Sequence, residues 1–101
     1  MKMISIVCNV SVANTILNML NKFNINNYQH IEEINSKPVI GKPRLNTAIW
    51  PGYSSMINFQ HQDNNQLKEI LFSLNKYNSE VENSSEKIEV YVWKLEDYIC
   101  K

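Results

Sequence analysis

All five glycine and proline residues of this chain fall between positions 38 and 52 of its 101 residues. Glycine and proline are the strongest local breakers of helices and strands. The segments on either side of this window are therefore free to form regular structure, and the window itself is predicted to be a loop. A connection of about sixteen residues, from Lys37 to Gly52, is unusually long inside a small domain, and such loops are commonly functional.

Two elements are predicted before the loop. The run from Met3 to Val10 is rich in apolar and β-branched residues, which is typical of a strand buried on at least one face. Ser11 then offers an N-cap for a helix of about three turns. The apolar positions of that helix recur at the spacing of one helical face: Ala13, Ile16, Leu17, Leu20 and Phe23. Because so short a helix gains too little burial to offset its loss of backbone entropy alone, we expect it to pack on a sheet.

Two further strands flank the loop. Residues Tyr28 to Ile34 and residues Tyr53 to Gln62 both read as extended segments whose side chains alternate between two sides. One side of the first strand carries Tyr28, His30, Glu32 and Ile34, and one side of the second carries Ser55, Ile57, Phe59 and His61.

The last third of the chain contains a helix and a strand. Asp63 or Asn64 caps an amphipathic helix, whose apolar positions are Leu67, Ile70, Leu71, Leu74 and Tyr77. Asn78 to Glu86 reads as a polar linker, and Lys87 to Leu95 as the fourth strand.

The order β-α-β-β-α-β predicts the fold class. With right-handed crossovers it is the α+β, ferredoxin-like arrangement, a four-stranded antiparallel sheet with both helices on one face. A chain of 101 residues is long enough for one domain with its own core, so we expect a single domain over residues 1–101.

The face of the sheet that the helices leave open should be polar if it meets water. Yet Val7, Met56, Tyr91 and Trp93 are out of phase with the apolar positions of their own strands, so neither face is polar. We expect another subunit or the long loop to cover this second face.

Composition excludes several classes of protein. The ten basic and ten acidic residues cancel, so no overall field attracts nucleic acid or an anionic membrane, and an apolar fraction of 44% is ordinary for a globular protein. The apolar run at the start is broken by Asn9 and Ser11 and lacks a cleavage site, which favours a cytoplasmic protein. Cys8 and Cys100 form neither a disulfide framework nor a metal-binding spacing.

The loop has a distinct charge pattern. No Asp or Glu occurs from Ile34 to Gln62, whereas Lys37, Lys42 and Arg44, the chain's only arginine, lie within this stretch. A guanidinium is a planar fork of donors that suits phosphate or carboxylate, and glycine lets backbone N–H groups approach such an anion. The loop is thus a candidate site for a small anionic ligand such as a nucleotide, the alternative being three cations that only solvate it.

The end of the loop reads Trp50-Pro51-Gly52-Tyr53. Pro51 and Gly52 suit the central positions of a type II turn, because the third position of that turn requires a positive φ. Trp50 and Tyr53 either stack on a ligand base, lie in an interface, or hold the loop against the sheet.

His30 and His61 lie on the two strands that flank the loop. If the register places them opposite each other, their Cβ atoms are about 4.5 to 5.5 Å apart, which is close enough to share a metal ion. Two imidazoles do not make a zinc site, and the neighbouring side chains Glu32, Glu33 and Gln60 are the candidate third ligands. We assign no metal ligands from these residues, and a metal-binding trimer stays an alternative.

The chain contains no familiar catalytic motif. It has no G-x-G-x-x-G, no Walker loop, no H-E-x-x-H and no nucleophile elbow. Asp63 and Asp97 are the only aspartates beside the two histidines, which leaves few members for a triad. We therefore predict no enzyme, no catalytic residues and no identifiable cofactor, with a small ferredoxin-like enzyme of unknown reaction as an alternative.

Taken together, these features resemble the PII (GlnB-like) signalling superfamily. The resemblance covers nearly the whole chain and rests on the order of elements, the long loop between strands two and three, and the closing strand Lys87 to Val92. The stretches Gly41-Lys42-Pro43-Arg44 and Thr47-Ala48-Ile49-Trp50-Pro51-Gly52 are similar to a divergent PII-like branch.

The resemblance implies a function and an assembly. PII proteins are trimers that bury one sheet face, bind ATP or ADP between subunits, and regulate enzymes, transporters or transcription through the long loop. For this chain, the resemblance implies a homotrimeric regulatory protein that senses a small anion or nucleotide and acts on a partner protein such as a transporter or an enzyme. The ligand-binding residues would be Lys37, Lys42, Arg44, Thr47, Trp50 and Lys87.

The chain also departs from the classical PII motifs. Trp50 to Tyr53 stands where those proteins have Pro-Lys-x-Lys, and Glu86 stands where they have glycine, so that Lys87 is the one residue of that motif carried over as a phosphate contact. The related CutA proteins share the trimer and a link to metal, and the pair of histidines keeps a CutA-like, metal-binding protein open as an alternative.

Overall fold

The computed structural model describes residues 1–100, and its elements follow the predicted order. The strands and helices are β1 (Lys2–Asn9), α1 (Ala13–Lys22), β2 (Gln29–Ile34), β3 (Ser54–His61), α2 (Asn64–Glu80) and β4 (Glu89–Lys94). Two short 3-10 turns, Val10–Val12 and Ser84–Glu86, precede α1 and β4. The strands form one sheet in the order β2-β3-β1-β4, and every neighbouring pair is antiparallel. This confirms the α+β, ferredoxin-like fold.

One face of the sheet forms the core with the two helices. β1 is buried throughout from Ile4 to Cys8, β3 contributes Ile57 and Phe59 to the core, and α1 and α2 supply the opposing apolar side chains. The largest fully buried members of this core are Ile4, Ile6, Ile57, Phe59, Ile16, Leu20, Ile70 and Leu74. Burial of each such side chain contributes about 1.5 to 3 kcal/mol. The two helices and this face are therefore the main source of stability in the chain.

On the other face of the sheet, which the apolar pattern predicted to be covered by another subunit or by the long loop, several apolar side chains are exposed. Tyr91 and Trp93 of β4 are 49% and 48% exposed, and Ile31 of β2 is 46% exposed. The register pairs Tyr91 with Ser5 and Trp93 with Met3 across β1. These side chains form an apolar surface on the sheet, which we call the open face.

The helix ends show where local sequence signals succeed and fail. The predicted N-cap Ser11 is wrong, because the side chain of Asn9 accepts the hydrogen bond from the backbone N–H of Ser11 and caps the 3-10 turn instead. Asp63 is the cap of α2 and accepts from the N–H groups of Asn65 and Gln66. Within residues 1–100, no helix combines the length and the apolar character that a membrane crossing requires.

The polar linker predicted from Asn78 begins too early. The helix α2 continues to Glu80 because Asn78 is fixed by the start of β4. Its Nδ2 donates to the carbonyl of Ile88 at 2.8 Å, and its Oδ1 accepts from the Ile88 N–H at 2.8 Å. Both bonds span ten residues, so no local pattern in the sequence reveals them.

Candidate functional site

The first part of the long loop is closed at its base by a short antiparallel bridge. The N–H of Ser36 donates to the carbonyl of Arg44 at 2.9 Å, and the N–H of Arg44 donates back to Ser36 at 2.8 Å. Residues 37–43 therefore leave and return to the same point. Gly41, with a φ of 99°, lies at the far side of this excursion. A Cβ at this position would lie 3.1 Å from the carbonyl oxygen of Ser84, so both the backbone angle and the close approach require glycine.

The second part of the loop is a compact turn around Trp50. The carbonyl of Trp50 accepts from the N–H groups of Leu45 and Thr47 at 3.2 and 3.0 Å, and the Thr47 hydroxyl accepts from the Trp50 N–H at 2.9 Å. Gly52 has the positive φ that the sequence predicted, 88°. Thr47, a predicted ligand residue, therefore holds the turn together, and Trp50 stays partly exposed beside it.

Arg44 is the most constrained of the predicted ligand residues. Its side chain is only 6% exposed, and its Nε donates to the Ser54 hydroxyl at 2.7 Å. Burial lowers the pKa of Arg44, while the charges of Cys8 and Glu89 act to raise it. Among residues 1–100, Lys76 and Glu80 form the one ion pair, so Arg44 has no carboxylate within 4 Å.

This arrangement leaves Arg44 electrostatically unbalanced. A buried cation is stable only where hydrogen bonds or an opposite charge compensate for its lost hydration. Ser54 supplies one neutral acceptor, which bonds to Nε. The two terminal nitrogens do not belong to the completely buried side-chain atoms that lack a hydrogen-bond partner in residues 1–100. Within residues 1–100, the guanidinium is therefore held through the single hydrogen bond of Nε to Ser54.

The three predicted lysines differ in their surroundings. Lys37 and Lys42 are exposed on the loop. Lys87 is partly buried, and its Nζ donates to the carbonyl of Asn78 at 2.7 Å, near the end of α2. Its ammonium therefore contributes to the packing of α2 against β4, a role that the sequence did not reveal.

A close backbone approach and a side-chain hydrogen bond bring three segments together beside the loop. Gly41 approaches the backbone of Ser84 in the 3-10 turn before β4, and the Nδ2 of Asn9 at the end of β1 donates to the carbonyl of Ser85 at 3.5 Å. The same turn leads directly into Lys87. We call this meeting of the loop, the end of β1 and the turn 84–86 the loop corner.

Ser54 is the side chain of this candidate site that sequence reasoning missed. It is fully buried at the start of β3, where a serine reads as an ordinary strand residue. The sequence contains only a weak signal for a buried hydroxyl at this position. Two adjacent serines, Ser54 and Ser55, begin a strand that is otherwise apolar on its core side. Both hydroxyls prove to be engaged, since Ser55 donates to the carbonyl of Glu32 at 2.6 Å.

The two histidines do not face each other. In the observed register His30 lies opposite Ile57, whereas His61 lies opposite Lys2 on the other neighbouring strand. The condition for a shared metal ion is therefore not met. No group of three or more His, Cys, Asp or Glu side chains in residues 1–100 is placed to hold a metal ion.

Comparisons with known proteins found similar proteins by structure only. No protein-family model matches the sequence, and no curated protein matches it. Among solved structures, the chain is similar to CPII from Thiomonas intermedia K12, a nitrogen regulatory PII-like protein bound to ADP, AMP and bicarbonate. The TM-score is 0.69 at 11% identity over 91% of this chain and 82% of that one.

Two other solved structures give the same result. The apo form of CPII matches with a TM-score of 0.61 at 11% identity, over 93% of this chain and 89% of that one. A protein of Thermus thermophilus described as PII-like and signalling matches with a TM-score of 0.59 at 14% identity, over 91% of this chain and 83% of that one. The resemblance inferred from the sequence is thus confirmed at the level of the fold: this chain has the fold of the PII-like proteins.

Proposed function

We propose that this chain is a PII-like regulatory protein of the cytoplasm, which senses a small anion or nucleotide at the loop corner and modulates a partner protein through the loop 37–52. The observation that carries the proposal is the buried Arg44, held by Ser54 and without a carboxylate partner in residues 1–100. A guanidinium fixed in this way can donate to two oxygens of an anion such as phosphate or bicarbonate.

The surrounding chemistry supports an anion rather than a cation. No acid lies between Ile34 and Gln62, while Lys42 follows Gly41 at the corner. The similar protein CPII has been solved with ADP, AMP and bicarbonate, all of which are anions. The likeness of this chain to CPII is one of fold, and those three compounds are therefore candidates to be tested rather than assigned ligands.

The open face supports a homotrimer as the working form. Tyr91, Trp93 and Ile31 expose a combined apolar surface that is unusual for a face meeting water. A neighbouring subunit on this face would bury it, as the PII resemblance implies. The ligand would then be bound between subunits, and the loop would be free to contact an enzyme or transporter.

A thermal-shift titration tests the ligand. We expect ADP, AMP or bicarbonate to raise the melting temperature, since a ligand at 100 times its Kd stabilises the folded state by about 2.7 kcal/mol. Lys42→Ala and Arg44→Lys should each reduce this rise. Lys68→Ala removes an exposed lysine of α2 and is the matched control.

The comparison of variants decides the outcome. The ligand-induced rise is measured against each variant's own ligand-free melting temperature, so a loss of stability in Arg44→Lys does not count as a loss of binding. If none of the three compounds raises the melting temperature, or if Lys68→Ala reduces the rise as much as Lys42→Ala, the proposed anion site is wrong.

A further inference from the structure

The two edges of the sheet, β2 and β4, differ in how they are protected. An open edge presents unpaired backbone N–H and C=O groups to any other strand, and native proteins blunt such edges with irregular pairing and charges. The β2 edge has both, because its pairing with β3 is irregular between Ile31 and Ile34 and it carries the exposed acids Glu32 and Glu33. The β4 edge, Glu89–Lys94, pairs with β1 without a register shift and has charges only at its two ends.

The backbone of β4 directs its hydrogen-bonding groups to two sides. The N–H of Leu95 donates to the carbonyl of Met1 at 3.1 Å, and these two residues lie opposite each other in the register of β1 with β4. In an antiparallel pair, such hydrogen-bonded positions recur at every second residue. The odd-numbered residues of β4 therefore bond to β1, and the N–H and C=O groups of Val90, Val92 and Lys94 point away from it.

One end of this outward series is closed by a side chain. Ile88 belongs to the same series, and Asn78 of α2 donates to its carbonyl and accepts from its N–H, both at 2.8 Å. The amide of Asn78 thus takes the place of a neighbouring strand at that position. Within residues 1–100, no group does the same for Val90, Val92 or Lys94. The free edge therefore consists of these three residues and is symmetric about Val92.

This free edge is complementary to a second copy of itself. If two β4 strands lie antiparallel with Val92 opposite Val92, then Val90 of each copy lies opposite Lys94 of the other, and every free N–H and C=O group finds a partner. The same register places Tyr91 of each copy opposite Trp93 of the other. Aromatic pairs at such positions stabilise a sheet, and both side chains are about half exposed in the single chain.

From the free edge, its symmetry and these aromatic pairs, we infer that the β4 edges of two copies of this chain pair into one continuous sheet. The pairing uses backbone groups at the rim of the sheet, so it adds to any association through the open face. It does not rest on the proposed anion site, since neither Arg44 nor the loop takes part. Three residues from each strand make a small contact, and small contacts are typical of weak complexes. We therefore expect the pair to be transient in dilute solution and to be detected by trapping.

Mixed disulfide cross-linking of the full chain tests the pairing and its register. Two variants are prepared, Tyr91→Cys and Trp93→Cys, each with Cys100→Ser to remove the exposed native thiol. Opposite residues that share no hydrogen bond in antiparallel strands have Cα atoms about 4.5 Å apart, which a disulfide can span. Under mild oxidation the mixture should form several times more covalent dimer than either variant alone, because position 91 meets position 93 and neither position meets itself.

A charge at the centre of the edge makes the test specific. Val92→Lys in both chains places two ammonium groups opposite each other, and like charges at such positions oppose pairing. Val92 lies opposite the buried Ile4 on the helix side, so this change leaves the open face as it was, and the cross-link should be lost. His30→Lys adds the same charge on the helix side of the β2 edge and should leave the yield unchanged. Val92→Pro, which removes only an outward N–H and suits an edge strand, should also abolish the cross-link.

Three results would overturn the inference. The first is a mixture that cross-links no more than the separate variants, which would leave the edge free for a strand of another protein. The second is equal yield in Val92→Lys and His30→Lys, which would place the contact on the open face. The third is a yield from either cysteine variant alone that exceeds the mixture, which would give another register. Circular dichroism shows whether each variant is folded, and a ligand-induced rise in melting temperature that persists alongside any of these results leaves the proposed function standing.

Discussion

The two faces of the sheet are built from the same strands but differ in what covers them. On one face Ile57 and Phe59 are completely enclosed by the helices. On the other face Tyr91 and Trp93 are about half exposed, although β4 pairs with β1 along its whole length. Within residues 1–100, the chain therefore encloses one face of the sheet and leaves the other partly exposed. A substitution on the helix side should therefore change folding, and one on the open side should change association.

The largest expected effect is a core truncation. Phe59→Ala on the helix side should lower the free energy of unfolding by about 3 to 5 kcal/mol, because it removes a buried ring and leaves a cavity. Trp93→Ala on the open face should also lower the free energy of unfolding, by an amount that grows with protein concentration. The reason is that subunit association stabilises the folded chain by mass action. Urea unfolding at several protein concentrations measures both.

A specific result would break this comparison. If Trp93→Ala lowers the free energy of unfolding by the same amount at every protein concentration, the open face is not a subunit interface. If Phe59→Ala costs as little as an exposed substitution such as Phe72→Ala on α2, the assignment of the core face is wrong.

The next effect depends on pH and concerns Cys8, which lies fully buried on the helix side. Burial raises the pKa of this thiol to about 11 from an ordinary value of 9.0, although Arg44 acts in the opposite direction. Between these two values the unfolded chain loses the thiol proton and the folded chain keeps it. Stability should therefore fall as the pH rises from 9 to 11, by up to about 3 kcal/mol.

Denaturation of Cys8→Ala over the same pH range isolates this contribution. The variant should lose less stability than the wild type between pH 9 and pH 11. Cys100→Ser is the matched control, because that thiol is exposed on the C-terminal segment. Equal pH dependence in the wild type and Cys8→Ala would contradict the enclosed thiol.

A smaller effect is expected at the base of the loop. Arg44→Ala should destabilise the chain by about 1.5 to 3 kcal/mol, the usual range for a hydrogen bond to a charged group. Lys42→Ala, two positions away and exposed, should cost less than about 0.5 kcal/mol. A double-mutant cycle of Arg44→Ala with Ser54→Ala measures the coupling energy between the two residues. If the two losses of unfolding free energy are strictly additive, the hydrogen bond between the residues contributes nothing to stability.

The sequence predicted the elements better than their connections. The strands and helices carry strong periodic signals, so their order and the antiparallel sheet followed from local patterns. The cap of α2 at Asp63 was also local, whereas the cap at Asn9 was missed because Ser11 fits the same role by composition alone. The end of α2 depends on Asn78 bonding to Ile88, a tertiary contact that no periodicity encodes.

The candidate site was predictable in its chemistry but not in its geometry. The absence of acids and the presence of Arg44 are visible in the sequence, and they identified the loop. The burial of Arg44 against Ser54 is not visible, because it follows from the bridge between Ser36 and Arg44 that closes the loop. The placement of His30 and His61 depended on strand register, which their spacing in the chain does not determine.

The measurement that tests the central claim most directly is the molar mass of the purified protein by light scattering. If the open face is a subunit interface in a PII-like trimer, the mass should be three times that of the 11.8 kDa chain. Trp93→Lys, which places a charge on the open face, should reduce it to that of one chain. A wild-type protein that remains a single chain at all concentrations would contradict the account.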